Sequence, residues 1–303
     1  MTAATASPGR EARLGAVAGI VCHLLWGLVP LYWTRLAAIN PVELIAHRHV
    51  WSLGFLVILI GTRGGLPAVR DALSTGASVA RHLLSAALLT ANWLVYVWGV
   101  NTGHVIETSL GYFLVPLVNV AVGRFVLHEH LRRAQWIAIA LAATGVTVMI
   151  FQVGRPPWIA LALASSWGGY SLMRKKSPLG ALPGLTVETL LLAPVAVGFL
   201  GWQHLQGTGA LGRVDAGTHA LILSAGVITA VPLLLFAIAA RRIRLSTLGL
   251  LQYLAPSVQL GLGIWVYHEP FSRARSFSFA FIWAALALYT ADNLLAQRRH
   301  PAA

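Results

Sequence analysis

The sequence predicts an all-α polytopic membrane protein of ten transmembrane helices, arranged as two inverted-topology five-helix repeats. Three observations predict it. Of 303 residues, 57% are hydrophobic and only 10% charged, with a mean hydropathy of +0.72. Ten apolar stretches are each long enough to cross about 30 Å of hydrocarbon. The chain also repeats itself at a constant offset of 140 residues. A soluble domain carries about 25% charged residues, so this chain has too few charges to coat a water-facing surface.

The apolar stretches run from 14 to 34, 42 to 61, 82 to 100, 106 to 127 and 134 to 152, then from 157 to 173, 184 to 203, 218 to 240, 245 to 267 and 276 to 296. Turn or charge signals separate most of them, among them Gly61-Thr62-Arg63-Gly64-Gly65, Arg155-Pro156-Pro157 and Arg174-Lys175-Lys176. In hydrocarbon every backbone amide needs an internal partner, which predicts helices. A β-barrel would alternate polar and apolar residues, and runs such as Ile137-Ala138-Ile139-Ala140-Leu141 do not. Arg10, Arg13 and the run after them imitate a signal peptide. The run extends for about 20 residues, as a span does, and nine more apolar stretches follow, so it is read as the first span.

The net charge of +13 would suggest nucleic acid in a soluble protein. Here it lies mostly in loops, and no nucleic-acid partner is expected. The termini and even-numbered loops carry 15 Lys and Arg, the odd-numbered loops 5, while Arg48 and Arg124 lie within spans. By the positive-inside rule this places both termini in the cytoplasm. The lone Cys22 can form neither an intramolecular disulfide nor a cysteine metal site.

The repeat is clearest in the fourth and ninth stretches. Ser109-Leu110-Gly111-Tyr112-Phe113-Leu114-Val115-Pro116-Leu117-Val118-Asn119 leads to Gly123 and His128-Glu129. Gly249-Leu250-Leu251-Gln252-Tyr253-Leu254-Ala255-Pro256-Ser257-Val258-Gln259 leads to Gly263 and His268-Glu269. Trp26-Gly27 and Trp167-Gly168 echo each other in the first and sixth stretches. The repeats are taken as residues 1–152 and 153–303. Five spans is an odd number, so the two copies enter the membrane from opposite sides. Secondary transporters commonly have this design, with substrate sites near the midplane between repeats.

Candidate site residues follow from polar and aromatic groups in apolar spans. Tyr112, Pro116 and Asn119 share one helical face, as do Gln252, Pro256 and Gln259. Each proline frees a carbonyl beside an amide side chain. One reading is a substrate-lining pair of helices hinged at Pro116 and Pro256; the other is kinked packing helices joined by an amide bond. Asn92 and Tyr96 make a similar face on the third span. His23, Trp26, Trp167 and Tyr170 put aromatic and imidazole groups on the first and sixth, suited to an organic substrate, cations included. Glu43, His47 and Arg48 open the second span, first as a structural ion pair and second as a proton-coupling site. Glu107 reads as a carboxylate at a helix N-terminus. His128-Glu129-His130 lacks the HExxH spacing of a metal site, and its repetition points to a structural role. No metal or cofactor is expected, and no phosphate-binding G-x-x-x-x-G-K-[ST] loop is present.

Trp26-Gly27-Leu28-Val29-Pro30-Leu31-Tyr32-Trp33, Glu43-Leu44-Ile45-Ala46-His47-Arg48, Glu107-Thr108-Ser109-Leu110-Gly111-Tyr112-Phe113, Arg174-Lys175-Lys176-Ser177-Pro178-Leu179-Gly180 and Leu248-Gly249-Leu250-Leu251-Gln252-Tyr253-Leu254-Ala255-Pro256 resemble RarD proteins. These form part of the EamA branch of the drug/metabolite transporter superfamily. The resemblance covers nearly the whole chain. It implies a ten-helix fold of two inverted repeats in the bacterial inner membrane. It also implies a central cavity lined by the first, third, fourth, sixth, eighth and ninth helices, Tyr253 among its residues.

The expected function is therefore secondary-active transport of a small organic solute, metabolite or drug by alternating access. The partners implied are that solute, the lipid bilayer and, in one reading, a coupled proton. No sequence feature sets an oligomeric state. The rival readings are an intramembrane enzyme, for which no nucleophile–base or metal spacing is visible, and a membrane scaffold, to which the small-residue face of Ala138 and Ala142 lends some support.

Overall fold

A computed structural model of the chain describes residues 8–102, 104–153, 156–268 and 273–299. Among these there is no strand, and the helices are α1 (Pro8–Trp33), α2 (Pro41–Thr62), α3 (Leu66–Leu73), α4 (Gly76–Asn101), α5 (Val105–Ala121), α6 (Arg133–Val153), α7 (Trp158–Lys176), α8 (Ala181–Leu205), α9 (Ala216–Arg242), α10 (Leu245–Leu251), α11 (Leu254–Trp265) and α12 (Arg273–Arg299). A 3-10 turn, Thr34–Leu36, follows α1, and a π turn, Val122–Val126, follows α5. Within the described residues, seven helical stretches are long and apolar enough to cross a membrane: Gly9–Leu36, Pro41–Thr62, Gly76–Val100, Glu107–Val126, Arg133–Phe151, Ala181–Leu205 and Ala216–Arg242. The sixth predicted stretch is α7, which ends in three basic residues. The ninth is divided between α10 and α11, and the tenth falls on α12.

Local chemistry sets several boundaries. Asn40 caps α2 by accepting from Val42 N, and Pro41 follows at the first position, where its missing N–H costs nothing. Asp215 caps α9 in the same way; hydrogen bonds from Thr218, first its hydroxyl and then its backbone N–H, hold the carboxyl below the usual carboxylate range. The loop expected between the second and third stretches is instead largely helical. α3 is a short amphipathic helix, and its Val69 and Ala72 pack on Ile60 and Val187. α4 also starts at Gly76, before the apolar run proper. Sequence reading misses both because hydropathy marks the lipid-crossing core of a helix and not its ends.

The packing order is specific. α1 lies against α9 and α11, α2 against α8 and α9, and α4 against α7 and α8. α5 lies against α7 and α10, and α6 against α12. Lipid offers no hydrophobic drive between helices, so association rests on close packing of small residues. Ala138 and Ala142, the face that supported a scaffold, are buried inside the chain in a cluster with Ile282 and Ala285 of α12. That support for an intermolecular role is thereby withdrawn.

The helix ends join in two sets. In one, Arg242 pairs with Glu11 at 2.7 Å, Arg241 donates to Ser177 O at 2.7 Å, Arg244 to His130 O at 3.0 Å, and Arg132 pairs with Asp292 at 2.5 Å. These bonds join the start of α1, the 177–180 and 128–132 connections, the end of α9 and the last turns of α12. In the other set, Ala210 N donates to Glu43 at 2.6 Å and Trp98 stacks on His104 at 5.5 Å.

Repeat-related segments end alike. Leu127 N donates to Val122 O at 3.1 Å, and Tyr267 N donates to Leu262 O at 3.0 Å. His128 and His268 then take left-handed backbone conformations, φ 56° and 53°, uncommon for residues other than glycine. Glu129 caps α10: its carboxylate accepts from Leu245 N at 2.7 Å, Ser246 N at 3.0 Å and Ser246 Oγ at 2.6 Å. The structural role read for His128-Glu129 thus has a mechanism, an anion on a helix N-terminus. Its copy, Glu269-Pro270, lies outside the described residues, as does Arg155. Glu129→Ala is expected to cost about 1–2 kcal/mol, read as a lower thermal midpoint in nanodiscs, with Glu129→Gln in between.

Candidate functional site

Polar groups of α4, α5, α11 and the Gln252–Tyr253 break tie neighbouring helices along a seam. Asn119 of α5, 0% exposed, donates to Gln252 Oε1 at 2.7 Å. The Tyr253 hydroxyl donates to Phe113 O at 3.1 Å, and Gln259 donates to the Trp26 carbonyl at 3.3 Å. Asn92 of α4 donates to Leu163 O at 2.8 Å and Ser166 Oγ at 3.0 Å of α7. Each bond crosses from one helix to another, so the amides that sequence placed on single faces act as cross-helix ties. Of the two amides expected to mirror each other, Asn119 is enclosed while Gln259 is exposed.

The irregular backbone does not sit at the prolines themselves. Pro116 lies inside a continuous α5, and the ladder changes only in the π turn after it. Pro256 stands in the first turn of α11, and the break falls at Gln252–Tyr253, where the Gln252 carbonyl, which the proline cannot serve, accepts from Ala255 N at 3.2 Å instead.

His23, Trp26, Trp167 and Tyr170 do come together, but with Phe236 of α9 as a packed aromatic group. Trp26 and Trp167 meet edge to face at 5.2 Å, Trp167 and Phe236 at 5.2 Å, and Tyr170 stacks on Phe236 at 6.0 Å. His23 Nδ1 lies 2.6 Å from Gly19 O and its ring 5.4 Å from Trp26. Gly27 and Gly168, beside these rings, let α1 and α7 pack closely on α11 and α5: a Cβ on Gly27 would lie 2.5 Å from Val258, and one on Gly168 2.6 Å from Val118. The two valines stand at the 140-residue offset, so α1 packs on α11, and α7 on α5, at corresponding positions.

The three ionisable residues of α2 separate. Glu43 and His47 pair at 3.4 Å and hold Ala210 of the α8–α9 connection. Arg48 faces elsewhere, its guanidinium 3.7 Å over the Trp93 ring of α4. Beyond Trp93 the rings of Tyr96 and Tyr112 continue at 6.1 and 5.6 Å, and Tyr112 is 37% exposed. Glu107, on the first turn of α5, accepts from Ile159 N at 3.0 Å and so caps α7.

Sequence reading missed the ion pair of Arg174 and Glu188. Arg174 was counted as a loop charge, yet it is 0% exposed and contacts Glu188 of α8 at 3.0 Å, with Ser85 of α4 donating to the same oxygen at 2.8 Å. The available signal was Glu188 itself, an acid inside an apolar run, which needs a partner. Among the described residues, no group of three or more His, Cys, Asp or Glu converges as a metal site would require.

Fold and seam together define a multi-pass helical membrane protein with a polar, aromatic interior. Residues 13–151 match the EamA-like transporter family. The chain is 44% identical over 292 residues to protein RarD of Streptomyces exfoliatus (95% of this chain, 92% of that one). It is 42% identical over 285 residues to the uncharacterized transporter YojE of Bacillus subtilis (92% and 94%), and 37% identical over 290 residues to protein RarD of Escherichia coli (96% and 98%). A solved crystal structure shares the fold with a TM-score of 0.70 at 20% identity, covering 91% of this chain and 97% of its own. The chain belongs to the RarD family of EamA-like drug/metabolite transporters.

Proposed function

We propose that this protein is a secondary-active permease that carries a small organic solute across the bacterial inner membrane by alternating access. Ten spans form two inverted five-helix repeats, residues 1–152 and 153–303, with both termini cytoplasmic. The observation that carries this reading is the reciprocal packing at the seam. Trp26 meets its mate Trp167, Tyr253 bonds to its mate Phe113, and the glycines 27 and 168 seat on the mated valines 258 and 118. Two such copies related by a pseudo-two-fold axis can rock about that seam and open a midplane site to either side. The joining of termini with the 128–132, 177–180 and 241–244 connections supports a common side for them, and their excess of Lys and Arg supports the cytoplasm. Relatives named as transporters support the class.

In this reading Asn119, Gln252 and Gln259 are ties made and broken in the cycle, and the backbone breaks at 122–126 and 252–253 give the hinges near Pro116 and Pro256. The aromatic group of His23, Trp26, Trp167 and Tyr170 closes the seam, while Asn92 and Tyr96 join the third span to it. Glu43 and His47 act as a structural clamp on the α8–α9 connection and not as a proton relay. The test is reconstitution into liposomes with a panel of labelled metabolites and drugs, with and without a pH gradient. Saturable flux is expected, lowered about tenfold or more in Asn119→Ala, which leaves Gln252 without its bond. No flux for any compound would remove the reading.

A further inference from the structure

We infer that the substrate carries a carboxylate and that Arg48 binds it; this names the substrate class for the proposed permease and rests on that reading. Arg48 is 5% exposed on α2, and its Nε and Nη1 have no hydrogen-bond partner. The Trp93 ring holds one face of the guanidinium and uses none of its five N–H donors. A buried cation is normally neutralised by a carboxylate. Among the described residues the buried acids are committed elsewhere, Glu43 to His47 and Ala210, Glu107 to the start of α7 and Glu188 to Arg174, and the half-buried Glu11, Glu129 and Asp292 to Arg242, the start of α10 and Arg132. Among the described residues none bonds to Arg48.

Arg48 also borders a place for a ligand. Arg48 lines a cavity between α2, α4, α8 and α9 of about 30 Å³, with the His49 imidazole and the hydroxyls of Ser52, Thr90, Thr189 and Thr229 around it and leucines and alanines completing the wall. That is room for two or so water-sized groups at about 10–15 Å³ each, enough for a head group; a larger body enters as the helices part. The planar fork of a guanidinium matches a carboxylate in two parallel bonds. One uncompensated positive charge suits a monoanion, and Glu188, which lines the same cavity, disfavours a second negative charge. The leucine wall suits an apolar body, and the rings of Trp93, Tyr96 and Tyr112, which run on from the guanidinium outside this cavity, add an aromatic surface beside it. A cationic substrate, which the aromatic residues alone would also have suited, meets a like charge here.

The test uses three matched probes on purified full-length protein in nanodiscs: phenylacetate, phenylacetamide and phenethylammonium. Binding is read by calorimetry and by the shift in thermal midpoint. Phenylacetate alone is expected to bind saturably, with at least tenfold weaker affinity in Arg48→Gln. Arg48→Lys keeps the charge and loses the fork; it is expected to stay selective for the anion with weaker affinity, and it serves if the glutamine variant does not fold. No carboxylate binding by the wild type, equal binding of all three probes, or unchanged affinity in Arg48→Gln overturns the inference. Flux of neutral or cationic solutes that is independent of Arg48 overturns it while leaving the permease reading intact. Charge-selective binding without flux of any solute supports the anion site and removes the permease reading instead.

Discussion

Arg174→Ala is expected to cost the folded protein about 3–5 kcal/mol, the range for stranding one member of a buried ion pair. The guanidinium is fully enclosed at 3.0 Å from Glu188, and Ser85 and the carbonyls of Gly180 and Ala181 complete its surroundings. Alanine leaves the Glu188 carboxylate buried with a hydroxyl as its remaining partner. Glu188→Ala is expected to cost a similar amount by stranding the cation. The double substitution Arg174→Met/Glu188→Leu removes both charges and keeps most of the volume, so it is expected to recover most of the loss. Thermal midpoints of the four proteins in nanodiscs, taken as a double-mutant cycle, check this. A double variant no more stable than the singles would show that the site is held by packing and not by charge.

The second large effect is expected at Gly226. A Cβ there would lie 2.2 Å from the Trp51 carbonyl carbon and 2.5 Å from Ser52 N, both backbone atoms that no rotamer change can move. The Ser52 hydroxyl also donates to the Gly226 carbonyl at 3.0 Å, a second tie between α2 and the backbone of α9 at this point. Gly226→Ala must push the two helices apart, at a cost of about 1–3 kcal/mol or more, and Gly226→Leu is expected to abolish folding. Gly54 of α2 is the control, because a Cβ there meets nothing within 4 Å. Gly54→Ala is expected to be neutral or stabilising by up to about 1 kcal/mol through helix propensity. Equal midpoints for the two alanine variants would contradict the close approach.

The separation of α2's three ionisable residues shows how far sequence reading reaches into the site. A spacing of four residues places Glu43 and His47 on one face, and they do pair. Arg48, one position on, turns about 100° further round a helix of 3.6 residues per turn. It was grouped with them by proximity along the chain, and the helix geometry already argued against that grouping. What it faces, Trp93 on a helix 45 residues away, is a fact of packing. Arg174 makes the same point from the other direction. A run of three basic residues after an apolar stretch reads as a solvated loop, and only the docking of α8 turns the first of them into a buried partner.

By itself the sequence determined that the chain is helical and membrane-embedded, because apolar length and scarce charge leave hydrocarbon as the only solvent and helices as the way to satisfy the backbone in it. It also marked the paired segments around 109–129 and 249–269, since a repeat is a property of residue order alone. The tertiary structure decided which polar groups meet. Asn119 with Gln252, Arg174 with Glu188, and Arg48 over Trp93 with its Nε and Nη1 unpaired are pairings between separate helices. These pairings, whether between consecutive helices as for Arg174 and Glu188 or between distant ones, follow from interhelix packing, which in lipid depends on side-chain shape and close approach at positions such as Gly27, Gly168 and Gly226, and not on any hydropathy pattern.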